Sequence, residues 1–340
     1  MNTLSKISRL WLVAALVLGL SSCSDDDDGG DPVPATQTIA EIVTDDSDFS
    51  NLLAALQQTG LDATLADADA NFTVFAPTNA AFEAYLGDTA LSEVPNDVLT
   101  ALLLNHVLIT EEMAFDLETG YYATAGTYGT SSSNIDLYVT KNGDNVLING
   151  GSALDGGANV TLADVNATNG VIHVVDAVIE LPTIVTFVSV DPSFDTLLAA
   201  LSRDDQPDFP GILSQTEVSA GADFNPPYTV FAPNNDAFND LLLELDPTGE
   251  TALGDIDGAT LTAALLLHVI NGANVTAADL EAGVVQTAGG EVTLTLDTPP
   301  TITDARGRVS TILVTDVQTS NGVIHAIDTV LLPPSEEEPQ

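Results

Sequence analysis

The chain is 340 residues long and 45% hydrophobic, with fifty Asp and Glu against six Lys and Arg, a net charge of −44. That hydrophobic share excludes wholesale disorder, and the length suffices for two domains that each bury a core. The charge excludes a nucleic-acid partner and repels anionic membranes; it favours either a saline habitat, where salt screens self-repulsion, or cations and basic partners.

Lys6 and Arg9 open the chain as a short positive region, followed by the apolar run Leu10–Leu20 and then Ser21-Ser22-Cys23. A spanning helix needs about 20 apolar residues, so this run has the length of a signal-peptide core. Small residues before the sole cysteine resemble the bacterial lipoprotein box, in which residues 1–22 are removed and Cys23 becomes the acylated, membrane-anchored N-terminus. An ordinary secretory signal is the alternative. A single cysteine excludes a disulfide within the chain, so the cores alone must supply stability. Residues 23–35, with Asp25-Asp26-Asp27-Asp28-Gly29-Gly30, read as a solvated acidic tether. The run Ser24–Asp28 also resembles the surface-export signal of Bacteroidetes lipoproteins, with a plain spacer as the alternative. The expected location is the outer membrane, facing outward.

From residue 36 the same text is written twice, at a domain-sized offset of roughly 150 residues. Thr38–Leu56 aligns without a gap on Thr183–Leu201. Ile39, Ile42 and Val43, ahead of Phe49, Leu52, Leu53 and Leu56, predict an amphipathic helix at the start of each copy. Asp67-Ala68-Asp69-Ala70-Asn71 imitates the start of a calcium loop. Phe72 stands where such a loop needs glycine and Thr78 where it needs a bidentate glutamate, so the segment reads as a turn and no metal is expected. Phe72–Phe82 (FTVFAPTNAAF) and Tyr228–Phe238 (YTVFAPNNDAF) each predict a strand stopped by proline, then a helix capped by Thr78-Asn79 or Asn234-Asn235. Leucine-rich helices are expected over Val98–Leu108 and Leu261–Ile270. Alternating strands are expected over Ile135–Thr140, Asn145–Ile148, Val292–Leu296 and Ile312–Val317, closing with Val171–Ile179 and Val323–Leu331. Helices first and mostly antiparallel strands after give an α+β class. The joint Glu180-Leu181-Pro182-Thr183 is too short and too stiff for independent beads and favours a fixed tandem; residues 335–340 read as an acidic tail.

All four histidines fall at two equivalent sites, His106 with His268 and His173 with His325. Leu99, Leu102, Leu103 and His106 share one helical face, as do Leu261, Ala264, Leu265 and His268, and His173 and His325 sit inside apolar strands. Core imidazoles bonded to backbone explain this pattern better than metal ligands or catalytic bases. The chain has no zinc-protease motif, phosphate loop or serine elbow, so neither a catalytic residue nor a cofactor is expected.

The Thr-Val-Phe-Ala-Pro box, the leucine helix ending in His-Val and Asn-Gly-Val-Ile-His, in this order and twice over, resemble the fasciclin domain across residues 36–181 and 183–334. The resemblance implies a small two-sheet β-sandwich or wedge flanked by helices. It also implies a non-enzymatic, surface-anchored adhesion protein for an extracellular protein or polysaccharide. The family's tyrosine before the helix histidine is replaced by Asn105 and Leu267. Asp164-Val165 and Asp316-Val317 match the family's Asp-Ile adhesion motif and are the candidate binding residues; the alternative is an aspartate that caps a turn beside a valine that fills the core. A purely structural envelope component is the rival function, with a solute-binding protein or enzyme more distant.

Overall fold

The computed structural model describes residues 35–129 and 131–335. The expected leader 1–22, Cys23, the tether up to residue 34 and the tail from 336 lie outside the described residues.

Repeat 1 opens with α1 (Ile39–Asp45), whose N-terminus is closed by a reciprocal Thr38–Glu41 capping box. The single opening helix expected from the periodicity is two: Asp46 turns its side chain onto the Asp48 amide, a short 3₁₀ turn intervenes, and α2 (Ser50–Thr59) sets off again. Repeat 2 breaks at the same place, between α6 (Ile184–Val190) and α7 (Asp195–Leu201), where Asp191 caps Ser193 and Pro192 has no amide to continue the ladder. The break lets α1 and α2 both lay their apolar faces, Ile39 and Val43 then Leu52 and Leu56, on one core.

The Phe-Ala-Pro boxes form β1 (Phe72–Pro77) and β8 (Tyr228–Pro233), each followed by a capped helix, α4 (Asn79–Leu86) or α9 (Asn235–Leu245). Between α2 and β1 lies the short α3 (Asp62–Leu65), and between α7 and β8 lies α8 (Phe209–Leu213). The leucine helices α5 (Asn96–Asn105) and α10 (Gly258–Leu267) stop earlier than expected. The chain turns at His106 or His268 and enters β2 (Val107–Leu108) or β9 (Val269–Asn271) against the Phe-Ala-Pro strand.

The remaining strands of repeat 1 are β3 (Gly120–Thr127), β4 (Asn134–Asn142), β5 (Asn145–Ile148), β6 (Ala158–Ala167) and β7 (Gly170–Val175). Repeat 2 has β10 (Gly283–Thr287), β11 (Gly290–Thr295), β12 (Thr301–Thr303), β13 (Val309–Gln318) and β14 (Gly322–Ile327). In each repeat all seven strands join one ladder, closed into a barrel in repeat 1 and open in repeat 2. Pairing is antiparallel throughout, except that β7 runs parallel to β1 and β14 parallel to β8.

Each central strand therefore feeds two cores. Val74 and Ala76 of β1 face the helices, while Phe75 points to the other side with Leu137, Val139 and Ile148. Phe231 plays the part of Phe75 in repeat 2, with Val292, Ile302 and Ile327. Asparagine and glycine of the Asn-Gly-Val-Ile-His motif lock this arrangement. Asn169 accepts the Ile39 N–H at 2.9 Å and donates to the Leu65 and Asp67 carbonyls, both at 2.9 Å. Asn321 does the same for Ile184, Leu213 and Gln215. A Cβ on Gly170 would lie 1.9 Å from the Phe72 carbonyl oxygen, and one on Gly322 2.1 Å from that of Tyr228, so the parallel strands can meet there only through glycine.

Candidate functional site

The matched Asp-Val dipeptides sit on β-bulges. β6 slips register between Leu162 and Val165, and β13 between Val314 and Val317. At these slips Asp164 and Asp316 both adopt a left-handed φ of 61°. The Asp164 carboxylate accepts the Ala114 N–H at 2.7 Å, and that of Asp316 accepts the Ala277 N–H at 2.6 Å, so each pins the loop that precedes β3 or β10. Their own amides donate to the Nδ1 atoms of His173 (3.2 Å) and His325 (3.3 Å). The Nε2–H of each ring donates to a loop carbonyl, Glu112 or Val275, both at 2.9 Å. Bulge, loop and ring are one hydrogen-bonded unit in both repeats. Val165 is half-buried against the helix-side core and Val317 is only 4% exposed, so the surface this motif offers is the aspartate and the bulge backbone.

The helix histidines have the opposite tautomer. His106 donates Nδ1–H to the Leu102 carbonyl at 2.8 Å and accepts the Ile179 N–H on Nε2 at 2.9 Å. His268 repeats this with Ala264 (2.7 Å) and Leu331 (2.9 Å). Burial drives both down to about 4, against the backbone bonds that favour the charged form. Burial also lowers His173 and His325. Each ring has both nitrogens engaged by backbone, which leaves no lone pair for a metal and no free base for proton transfer. Asp67 accepts the Asp69 amide in a local turn, and among the described residues no three His, Cys, Asp or Glu are placed to hold a metal ion.

The short joint favoured a fixed tandem, but sequence reasoning missed the residues that dock the repeats. Tyr121 on β3 packs edge-on against Tyr138 of β4 (ring centroids 4.9 Å apart) and against Phe187 of α6 (5.1 Å). Its hydroxyl donates to Asp191 at 2.8 Å, so Tyr138 and Tyr121 extend the core of repeat 2 into repeat 1. Gln318 N–H donates to Asp136 of β4 at 2.8 Å; the bonds from Ser320 to the Pro182 carbonyl belong to repeat 2 itself and match Thr168 N–H on the Gln37 carbonyl in repeat 1. The excursion Asn149–Gly151 lies on α6, where a Cβ on Gly150 (φ 82°) would come within 2.8 Å of Val190. Two consecutive tyrosines on a strand were the one available signal, and alternation alone assigns one of them outward without saying what covers it.

The molecule is a tandem of α+β repeats, each with a seven-stranded array, a helical layer and an Asn-Gly clamp. The chain belongs to the fasciclin family: the Fasciclin domain matches residues 47–182 and 205–333. Similar proteins include Protein sll1483 of Synechocystis, 36% identical over 45% of this chain and 74% of its own length. The transforming growth factor-beta-induced protein ig-h3 of Sus scrofa is 29% identical over 78% of this chain, and human periostin 26% over 79%. This chain spans about a third of those two animal proteins, 35% and 29% of their lengths. Among solved structures, a FAS1 domain pair from the insect cell adhesion molecule Fasciclin I shares the fold, with a TM-score of 0.53 and 18% identity over 84% of this chain and 97% of the other.

Proposed function

We propose that this protein is a non-enzymatic adhesion module, held to the bacterial outer surface through lipid on Cys23 and presenting two fasciclin domains to an extracellular protein or polysaccharide. The observation that carries the reading is the junction: aromatic docking and two direct hydrogen bonds, Tyr121–Asp191 and Gln318–Asp136, hold the two domains as one presenting body. Two weak sites held at fixed spacing gain avidity on a target with repeating epitopes. One fold neighbour comes from an insect cell adhesion molecule, which fits this reading in kind. Saturated histidines, with no nucleophile–base pair among the residues of either bulge, argue against catalysis. The carboxylates of Asp164, half-buried, and Asp316, exposed, are the candidate contacts.

The test is a glycan and matrix-protein array probed with the whole chain, together with an attachment assay on cells carrying wild type, a deletion or Cys23→Ala. Wild-type cells should attach to array-positive material, and Cys23→Ala cells should shed the protein and lose attachment. Asp164→Asn with Asp316→Asn keeps the turns and removes the charges, and should weaken array binding. An empty array, with unchanged attachment of the deletion strain, would make the protein a structural envelope component instead.

A further inference from the structure

The junction is built once and not repeated. Tyr121 pairs across the ladder with Tyr138, and their counterparts on β10 and β11, Val284 and Thr293, pair in the same way. Val284 is 66% exposed and Thr293 is also open to solvent. Asp136 pairs with Ala123, and the residue in its place in repeat 2, Glu291 opposite Gln286, is exposed. The excursion after β5 has no equivalent either, because β12 turns into β13 through Asp304–Arg308, closed by its own ion pair. The fold of one repeat therefore leaves this strand position in water, and docking of repeat 2 is what half-buries Asp136.

We propose that Asp136 makes the junction a pH-responsive clasp, closed while its carboxyl is protonated and loosened when the carboxyl ionises. The inference goes beyond the adhesive reading and does not depend on what the repeats bind. One backbone donor, Gln318 N–H, serves the carboxyl. Across the junction β13 brings Asp316, a second acid, with His325 bonded behind it in the neutral form. Tyr121 and Tyr138 flank it on β3 and β4, and α6 ends in Asp191, acceptor of the Tyr121 hydroxyl. No cation faces it. Lys141, farther along β4, donates to the Ala114 carbonyl, while Arg203, Arg306 and Arg308 are bonded within repeat 2.

Burial accordingly pushes the carboxyl up to about 7, with the Gln318 amide opposing and Asp316 adding to the rise. An undocked aspartic acid titrates near 4. The docked form thus holds a proton that the undocked form releases between those values. Docking is strongest below about pH 4, weakens by up to about tenfold per unit as pH rises, and is constant again above about 7. The full span is at most roughly a thousandfold. All four histidines are lowered, so they remain neutral across the upper part of this window.

The experiment is energy transfer between dyes on cysteines placed at the exposed positions Asp97 and Asp240 of the full chain, in a Cys23→Ser background. Transfer should change between pH 5 and 8 and level off above pH 8. Asp136→Asn, which keeps an acceptor for Gln318 N–H and cannot ionise, should hold the low-pH value throughout. Constant transfer in the parent from pH 5 to 8 would overturn the clasp. So would an equal change in Asp136→Asn, which would assign the motion to the acidic surface as a whole.

Discussion

His106 and His268 each satisfy two backbone groups that a helix end and a returning segment would otherwise bury unpaired. His106→Ala removes both partners and opens a cavity, and should destabilise repeat 1 by about 2–4 kcal/mol in denaturant titration. The pH dependence has a definite sign. The folded pKa is about 4 against an ordinary 6.5, so the folded state binds fewer protons than the unfolded one. Stability is then full above pH 6.5 and falls as pH drops toward 4, by up to about 3 kcal/mol per ring. Replacing both rings should flatten that acid limb of the stability profile; a limb that stays unchanged would place its origin in carboxylates instead. The sequence placed these residues on a core stripe because the spacing of Leu99, Leu102 and Leu103 is local information. Their second partners, Ile179 and Leu331, come from the far end of each repeat, and no periodicity reports such a contact.

At the scale of elements, type was more legible than ends. β5 begins and ends where alternation put it, at Asn145 and Ile148. The leucine helices ended early where a histidine side chain took a carbonyl of the last turn, Leu102 or Ala264, and the opening helix broke where aspartate competed for an amide. The parallel pairing of β1 with β7 was not read, since a run buried on both faces, as these two strands are, fixes neither its direction nor its partner. The Asn-Gly pair before Val-Ile-His was read only as part of a motif; it turns the chain into β7 and clamps α1, α3 and β1. Asn169→Ala strips a buried amide N–H and two carbonyls of their partners together, and Gly170→Ala drives a methyl into the Phe72 carbonyl. Each should cost about 3 kcal/mol or more and lower the melting temperature of repeat 1. A loss below about 1 kcal/mol for Asn169→Ala would show that water replaces the clamp without penalty.

For the whole molecule the decisive quantity is charge. The four cations outside the expected leader all point inward or to a neighbour. Lys141 bonds the Ala114 carbonyl, Arg203 bonds Asp205 and the Leu253 carbonyl, Arg306 bonds the Pro333 carbonyl, and Arg308 joins Asp304, Glu244 and the Val330 carbonyl. They close loops, and none is left to intersperse with fifty acidic residues. Such a surface repels itself in the compact state, and added salt shortens the reach of that repulsion, from about 30 Å at 0.01 M to about 3 Å at 1 M. The melting temperature should therefore rise from low salt to molar chloride, equally for sodium and potassium, because screening depends on ionic strength and not on fit. Asp204→Lys with Asp240→Lys, both exposed, should raise the low-salt melting temperature and shrink the salt response. A rise produced by micromolar calcium alone, with no response to monovalent salt, would reject general repulsion in favour of specific ion binding and return attention to Asp67 and Asp69.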